Sequence, residues 1–252
     1  MSQPTLHLEF RGAVTLVTLD RPPANAMSHG LLRALLGVLP TLRQAQAVVV
    51  TGAGRFFSAG LDLDEVVSLG EEDGRAFATV FDDVLTGLFA LEIPVVAAVN
   101  GHAMAGGAVL AATADFRLIA EGTARVGLPE IQVGVPFPTS ALEIVRTSCG
   151  GPHLYTVLQR GLGYLPAEAL TRNLVDEIVP STEVLPRAIA LAEELASRPH
   201  VAFASTKRAL RAESLGRIHA AQAAGLDPIW EQWRSPEVLA SIAAYRERVL
   251  RR

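Results

Sequence analysis

Two short runs contain no polar residue, Ala47 to Val50 and Val95 to Val99, and each ends at a glycine-containing loop, Thr51-Gly52 and Asn100-Gly101. A segment apolar at every position has no face to offer water, so both runs are expected to be strands covered on two sides, the habit of parallel sheets. Between them Phe77, Val80, Phe81, Val84, Leu85 and Leu88 recur at helical spacing. Strand, helix, strand in that order is a βαβ crossover, and Phe116 to Ala120 reads as a third strand after a short helix, which makes the chain α/β.

The flanking segments fill in the frame. Leu6, Leu8 and Phe10 alternate with polar residues, Arg11-Gly12 turns the chain, and Val14 to Leu19 resumes a β-rich run that Pro22-Pro23 ends, predicting an opening hairpin. Ser28 suits the N-cap of a helix over Leu31 to Leu39 that Pro40 closes. From Ser140 onward helices are expected at Ala141 to Arg146, Ala167 to Arg172, Glu183 to Ala196, Ala202 to Ala212 and Pro236 to Leu250, without strand patterning. Pro199-His200 marks a break, so the chain divides into a core, residues 1–198, and a helical region, residues 199–252. Trp230, Trp233 and Leu239 in the latter are expected to be exposed until a partner covers them.

Several function classes drop out on composition. With 22 Lys and Arg against 26 Asp and Glu, a net charge of -4 and no basic run, nucleic acid and anionic membranes are poor partners. The one cysteine, Cys149, excludes an internal disulfide, and six dispersed histidines give no metal-ligand spacing. No secretory leader profile and no apolar stretch of about 20 residues is present, so a cytoplasmic, metal-free protein is expected.

In α/β proteins ligands gather beyond the carboxyl ends of the strands, which directs attention to the loops Gly52 to Asp64 and Asn100 to Leu110. Gly52-Ala53-Gly54 fails as a dinucleotide fingerprint, because Phe57 stands at the third glycine position and no ribose-binding acid follows. Gly106-Gly107 instead opens a short apolar helix, where unpaired N–H groups and the helix dipole favour negative charge. Ser58-Ala59-Gly60-Leu61-Asp62 offers a second bare backbone before another helix, Asp62 to Leu69. Two amides from two loops suit one oxyanion, although isolated glycines more commonly serve tight turns or close packing.

Phe57-Ser58-Ala59-Gly60-Leu61-Asp62-Leu63, then Ala98-Val99-Asn100-Gly101-His102-Ala103-Met104-Ala105-Gly106-Gly107, then Gly127-Leu128-Pro129-Glu130, taken in order, resemble the enoyl-CoA hydratase/isomerase (crotonase) superfamily. The resemblance runs from Asp20-Arg21-Pro22-Pro23-Ala24-Asn25-Ala26 to the final helix. It implies a crotonase-like spiral of ββα units with a C-terminal helical trimerisation region, assembled as a homotrimer or hexamer. It also implies an acyl-CoA thioester as substrate, with no cofactor beyond the coenzyme A so carried. The oxyanion amides fall on Leu61 and Gly106, and the base on Glu130. Substrate and coenzyme A contacts fall on Ala24, Ala26, Ser58, Ala59, Asp62 and Leu63, with Val109 and Phe137 beside the acid.

Hydratases of the superfamily carry Gly-Gly-Cys-Glu in the second loop, and the position of that glutamate is Val109 here. Adding water across a double bond requires one group to activate water and another to deliver a proton, and valine does neither. Losing one such group costs roughly 10²- to 10⁴-fold. A double-bond shift needs one base that removes a proton at C2 of a 3-enoyl thioester and returns it at C4. The sequence is therefore similar to the 3,2-trans-enoyl-CoA isomerases of fatty acid β-oxidation, an impression strengthened by Pro136-Phe137-Pro138. It departs from them at Pro129, where those isomerases carry Asn. Val109, Val133, Val135 and Phe137 around Glu130 are expected to raise its pKa by desolvation.

Among other polar residues, Asp62 reads as a helix cap, Asp115 as structural and His102 as bonded to backbone, while Arg21, Arg55 and Lys207 are candidates for coenzyme A phosphates. The competing readings are a hydratase, hydrolase or lyase of the same superfamily, and a silent acyl-CoA-binding subunit. A Gly-x-Ser-x-Gly nucleophile elbow is absent.

Overall fold

The computed structural model describes residues 6–224 and 228–250. The chain opens with the antiparallel hairpin β1 (Leu6–Arg11) and β2 (Val14–Leu19), then α1 (His29–Leu42). A repeating unit follows: β3 (Ala47–Gly52), β4 (Phe56–Ser58), α2 (Leu63–Ser68) and α3 (Glu71–Phe89); β5 (Val95–Val99), β6 (His102–Met104) and α4 (Gly106–Ala112); β7 (Phe116–Ala120), β8 (Val126–Gly127), α5 (Glu130–Val133) and α6 (Thr139–Ser148). The remainder is α7 (Leu154–Arg160), β9 (Gly163–Tyr164), α8 (Pro166–Thr171), β10 (Glu177–Val179), α9 (Val184–Ala196), α10 (His200–Ala223), α11 (Pro228–Trp233) and α12 (Pro236–Leu250).

Each repeat places its first strand in one sheet and its second in another, giving the orders β1-β2-β3-β5-β7-β10 and β4-β6-β8-β9. The result is the expected crotonase-like spiral. Its consequence for function is that successive loops stack, so the segment after β4 lies beside the segment after β6. The apolar strands read as they do because both faces are buried: Val48, Val50, Val95, Ala97 and Val99 join the core under α1 and α3. Val49, Val96 and Ala98 face the opposite way, onto Val184, Ala188 and Ala192 of α9.

Four expectations need correction. Pro40 does not close α1, which runs to Leu42. Its ring lies exposed in the last turn, where one missing N–H costs little, while burial of Leu39 and Leu42 holds the turn in place. The part beyond Ser140 does contain strands, β9 and β10, of two and three residues. Trp230 and Trp233 are not exposed but 5% and 6% accessible, covered by their own chain, and Leu239 is half-buried.

The fourth concerns Lys207. The buried face of α10 is Ala204, Lys207, Arg211, Ser214 and Ile218, one residue every three or four. Lys207 Nζ donates to Ile93 O at 2.8 Å and to Asp115 Oδ2 at 2.7 Å, and Arg211 Nη2 donates to Asp115 Oδ1 at 2.9 Å. Lys207 therefore anchors the tail to the core and is no contact for a coenzyme A phosphate, while Asp115 is structural as expected. Among the described residues no helix is long and apolar enough to cross a membrane.

Candidate active site

The first of the two loops is built on Asn25. This residue is buried and left-handed at φ +51°, a conformation asparagine tolerates better than most side chains. Its Oδ1 accepts from Arg21 N at 2.9 Å, and its Nδ2 donates to Ala53 O at 2.9 Å and Phe56 O at 2.8 Å. Its carbonyl accepts from Ser58 Oγ at 2.8 Å. The segment Ala24–Met27 is thereby tied to residues 58–62, with Ala59 N donating to Ala24 O, Met27 N to Gly60 O and Asp62 N to Met27 O. Gly60 N turns back to Ser58 Oγ. In this run every neighbouring amide is engaged, and that of Leu61 has no partner among the described residues.

The second loop carries the matching amide. Ala105 N donates to Gly127 O, and Ala105 O accepts from Ala108 N and Val109 N, so the amide of Gly106 is left open at the start of α4. Ala105 itself sits at φ +51°, ψ −130°, a region that disfavours any side chain. Its ψ sets the plane of the peptide that carries the Gly106 N–H, so the strain orients this amide. The loops touch: a Cβ on Gly60, at φ +94°, would lie 2.9 Å from Met104 O and 3.0 Å from Gly106 N. One on Gly107 would lie 2.2 Å from Ser58 O. Gly107 thus serves close packing; Gly106 supplies a donor and is also closely packed, a Cβ there lying 2.8 Å from Met27 Cε.

A cavity of about 420 Å³ opens beside both amides, lined by Leu61 and Gly106, by Ala26, Ala59, Asp62 and Leu63 of the first segment, and by Val109 and Glu130. Ala24, Ser58 and Phe137 do not line it. Ser58 is fully buried and holds the loop from behind, while Phe137 is half-buried and packs onto the core. Asp62 accepts from Asp64 N and Glu65 N, capping α2, and pairs with Arg21 Nη2 at 2.6 Å. Arg21 is committed to that contact, Arg55 is exposed, and His102 Nδ1 accepts from Arg125 N at 3.2 Å.

Glu130 opens α5 and is 6% accessible. Its backbone carbonyl accepts from Gly134 N and Val135 N, but Oε2 has no partner. Val109, Val133, Val135, Pro138 and Ala141 line the same space. Burial among them pushes the carboxyl from 4.5 to about 8, because the low-dielectric surroundings penalise the anion. Of the two other acids at the wall, Asp62 is held by Arg21 and Asp64 is paired with Arg246 of α12. Among the described lining residues Glu130 is therefore the one carboxylate without a cation or cap.

The far wall was not legible beforehand. Phe81 of α3 lies edge-to-face with Trp230, their centroids 5.6 Å apart at 86°, and Trp233 packs 5.0 Å from Trp230. Met104, Tyr245 and Arg246 line it as well. The tail thus closes the chain's own cavity. Asn25 could have been found from its place after Pro22-Pro23, a turn position where asparagine is favoured; the tail residues carry no such local signal.

Known proteins are similar to this chain in sequence and in fold. Carnitinyl-CoA dehydratase of Proteus mirabilis (strain HI4320) is 36% identical over 221 residues, covering 85% of this chain and 82% of that protein. The short-chain-enoyl-CoA hydratase of Clostridium acetobutylicum is 32% identical over 208 residues, covering 81% and 79%. The crystal structure of human mitochondrial delta3-delta2-enoyl-CoA isomerase superposes with a TM-score of 0.93 at 27% identity, covering 98% of this chain and 99% of that one. The profile of the Enoyl-CoA hydratase/isomerase family matches residues 9–249, and the chain belongs to that family.

Proposed function

We propose that this member of the family is an isomerase that converts 3-enoyl-CoA to trans-2-enoyl-CoA, with Glu130 as its single proton carrier. The observation that carries the reading is the lone unpaired carboxylate: Glu130 shares the cavity with Val109, 1% accessible, and with two open amides. In the forward direction the Glu130 carboxylate takes a proton from C2, and the electron pair moves through the thioester to leave a dienolate. The amides of Leu61 and Gly106 donate to its oxygen, an effect of about 3 to 4 kcal/mol per donor in comparable sites. Glu130, now neutral and at home in its apolar surroundings, returns the proton at C4. Two half-reactions of opposite sense ask for a carboxyl whose neutral and charged forms are close in energy near working pH, and burial supplies that.

The step moves a proton and calls for no cofactor beyond the coenzyme A of the substrate. Ala26, Ala59 and Leu63 would meet the pantetheine side, and Ala24 the more distant part of coenzyme A. Assembly into a trimer or hexamer through residues 199–252 belongs to the same reading, supported by Val201 and Leu210 of α10, which the chain leaves 79% and 73% accessible.

Purified protein offered 3-enoyl- and 2-enoyl-CoA of matched length should convert the first to the second, and Glu130→Gln should lose at least 10²-fold in kcat. Rapid hydration of the 2-enoyl substrate would overturn the reading in favour of the activities that the two sequence relatives are named for. Tight binding of both without turnover would favour a silent acyl-CoA-binding subunit.

A further inference from the structure

The two tryptophans of α11 stand between two spaces. On one side is the cavity that holds Glu130; on the other is a small, mostly apolar pocket of about 50 Å³, lined by Val66, Val67, Leu69, Phe77 and Leu239, by Arg75 and Arg234, and by the same Trp230 and Trp233. The indoles form a partition with no other residue common to both linings. The partition is continuous with the reacting end. A Cβ on Gly106 would lie 3.5 Å from Phe81 Cε2, Phe81 packs edge-on to Trp230, and Trp230 packs on Trp233.

The partition is also fixed. Trp230 Nε1 donates to Asp82 Oδ2 at 3.0 Å, with Asp82 buried and held in turn by Ser140 Oγ, and Trp233 Nε1 donates to Pro136 O at 2.9 Å. An indole whose N–H is satisfied behind the wall loses that bond if it swings aside, so the pair acts as a stop rather than a gate.

We propose that Trp230 and Trp233 set the acyl-length limit of this site, making short- and medium-chain thioesters its substrates; this rests on the acyl-CoA reading above. At roughly 30 Å³ per chain atom, a water's share of liquid volume, 420 Å³ holds about 14 heavy atoms, and once the thioester and the near end of pantetheine are seated about eight acyl carbons remain. Beyond that length the chain meets indole. Removing one indole joins the two spaces and gives the chain a lined path between α2 and α3.

The test measures binding of saturated straight-chain acyl-CoAs from four to fourteen carbons to the full-length protein, to Trp233→Ala and to the milder Trp233→Leu, with thermal unfolding as a check on folding. Each buried methylene is worth about fourfold in affinity. Wild-type affinity should climb at that rate to about eight carbons and then level or fall. In the variants the break should move outward, raising the ratio of twelve-carbon to four-carbon affinity at least tenfold. Wild-type affinity that climbs steadily to fourteen carbons, or a variant with an unmoved break, overturns the proposal. Saturated thioesters do not isomerise, so absence of 3-enoyl turnover leaves this test intact, whereas no binding at any length overturns both readings.

Discussion

Replacing Glu130 by glutamine should make the protein more stable at alkaline pH while removing its activity. The carboxyl is buried with Oε2 unpartnered, and its pKa is raised from 4.5 to about 8. A group that holds its proton more tightly in the folded state than in the unfolded one makes folding weaken as pH rises between the two values. The stability this group contributes should therefore be complete below about pH 4.5 and decline from there to about pH 8. The full span corresponds to about 5 kcal/mol at 1.36 kcal/mol per pH unit, an upper figure because solvent entry and relaxation around the anion reduce it. Glutamine has the same shape, cannot ionise and escapes the decline. Urea unfolding of both proteins at fixed concentration at pH 5, 7 and 9 should show them within about 1 kcal/mol at pH 5 and several kcal/mol apart, variant above wild type, at pH 9. Parallel curves would refute the claim that Glu130 is an unpaired carboxyl in a dry site.

Other expectations are independent of that one. The base must be ionised to accept the C2 proton, so kcat/KM should rise about tenfold per pH unit up to about 8 and then level, a slope that a pH–rate profile measures directly. Asn25→Ala removes donors to two loop carbonyls and should lower stability by about 1 to 3 kcal/mol and kcat at least tenfold, because the Leu61 amide loses its frame. Lys207→Met takes one of two cations from the buried Asp115, which keeps Arg211, and leaves Ile93 O without its donor, so it should cost about 1 to 3 kcal/mol of stability in chemical denaturation while leaving KM for acyl-CoA within twofold. Val109→Glu, if the second acid is what hydration lacks, should yield measurable hydration of 2-enoyl-CoA at the expense of isomerisation.

How much was legible depended on the range over which a residue's role is decided. Val48, Val96 and Ile119 announce buried strands because their neighbours in sequence are also apolar, and the βαβ order follows. The strands β4, β6 and β8 have three, three and two residues, too few for alternation to register, and they exist because the spiral stacks them. Leu61, Gly106, Val109 and Glu130 were fixed by ordered local motifs, and the structure gathers all four around one cavity. Ser58 looked like a contact for substrate, yet its hydroxyl reaches Asn25 across 33 positions. The need to cover Trp230 and Trp233 was readable from their size; that the cover is the chain's own site was not, because Phe81 and Trp230 meet across most of the length of the chain. Lys207 was misjudged for the same reason, its partners Ile93 and Asp115 lying 114 and 92 positions away.

The central claim is that one carboxyl carries the proton from C2 to C4. A 3-enoyl-CoA bearing deuterium at C2, turned over once in ordinary water and analysed by mass spectrometry and NMR, tests it without reference to any mutant. If Glu130 takes and returns the same hydrogen in a cavity that excludes water, a substantial share of the label appears at C4 of the 2-enoyl product. If C4 acquires only solvent hydrogen, and the product carries on to the 3-hydroxy thioester, a second group and a bound water take part and the single-glutamate account is wrong.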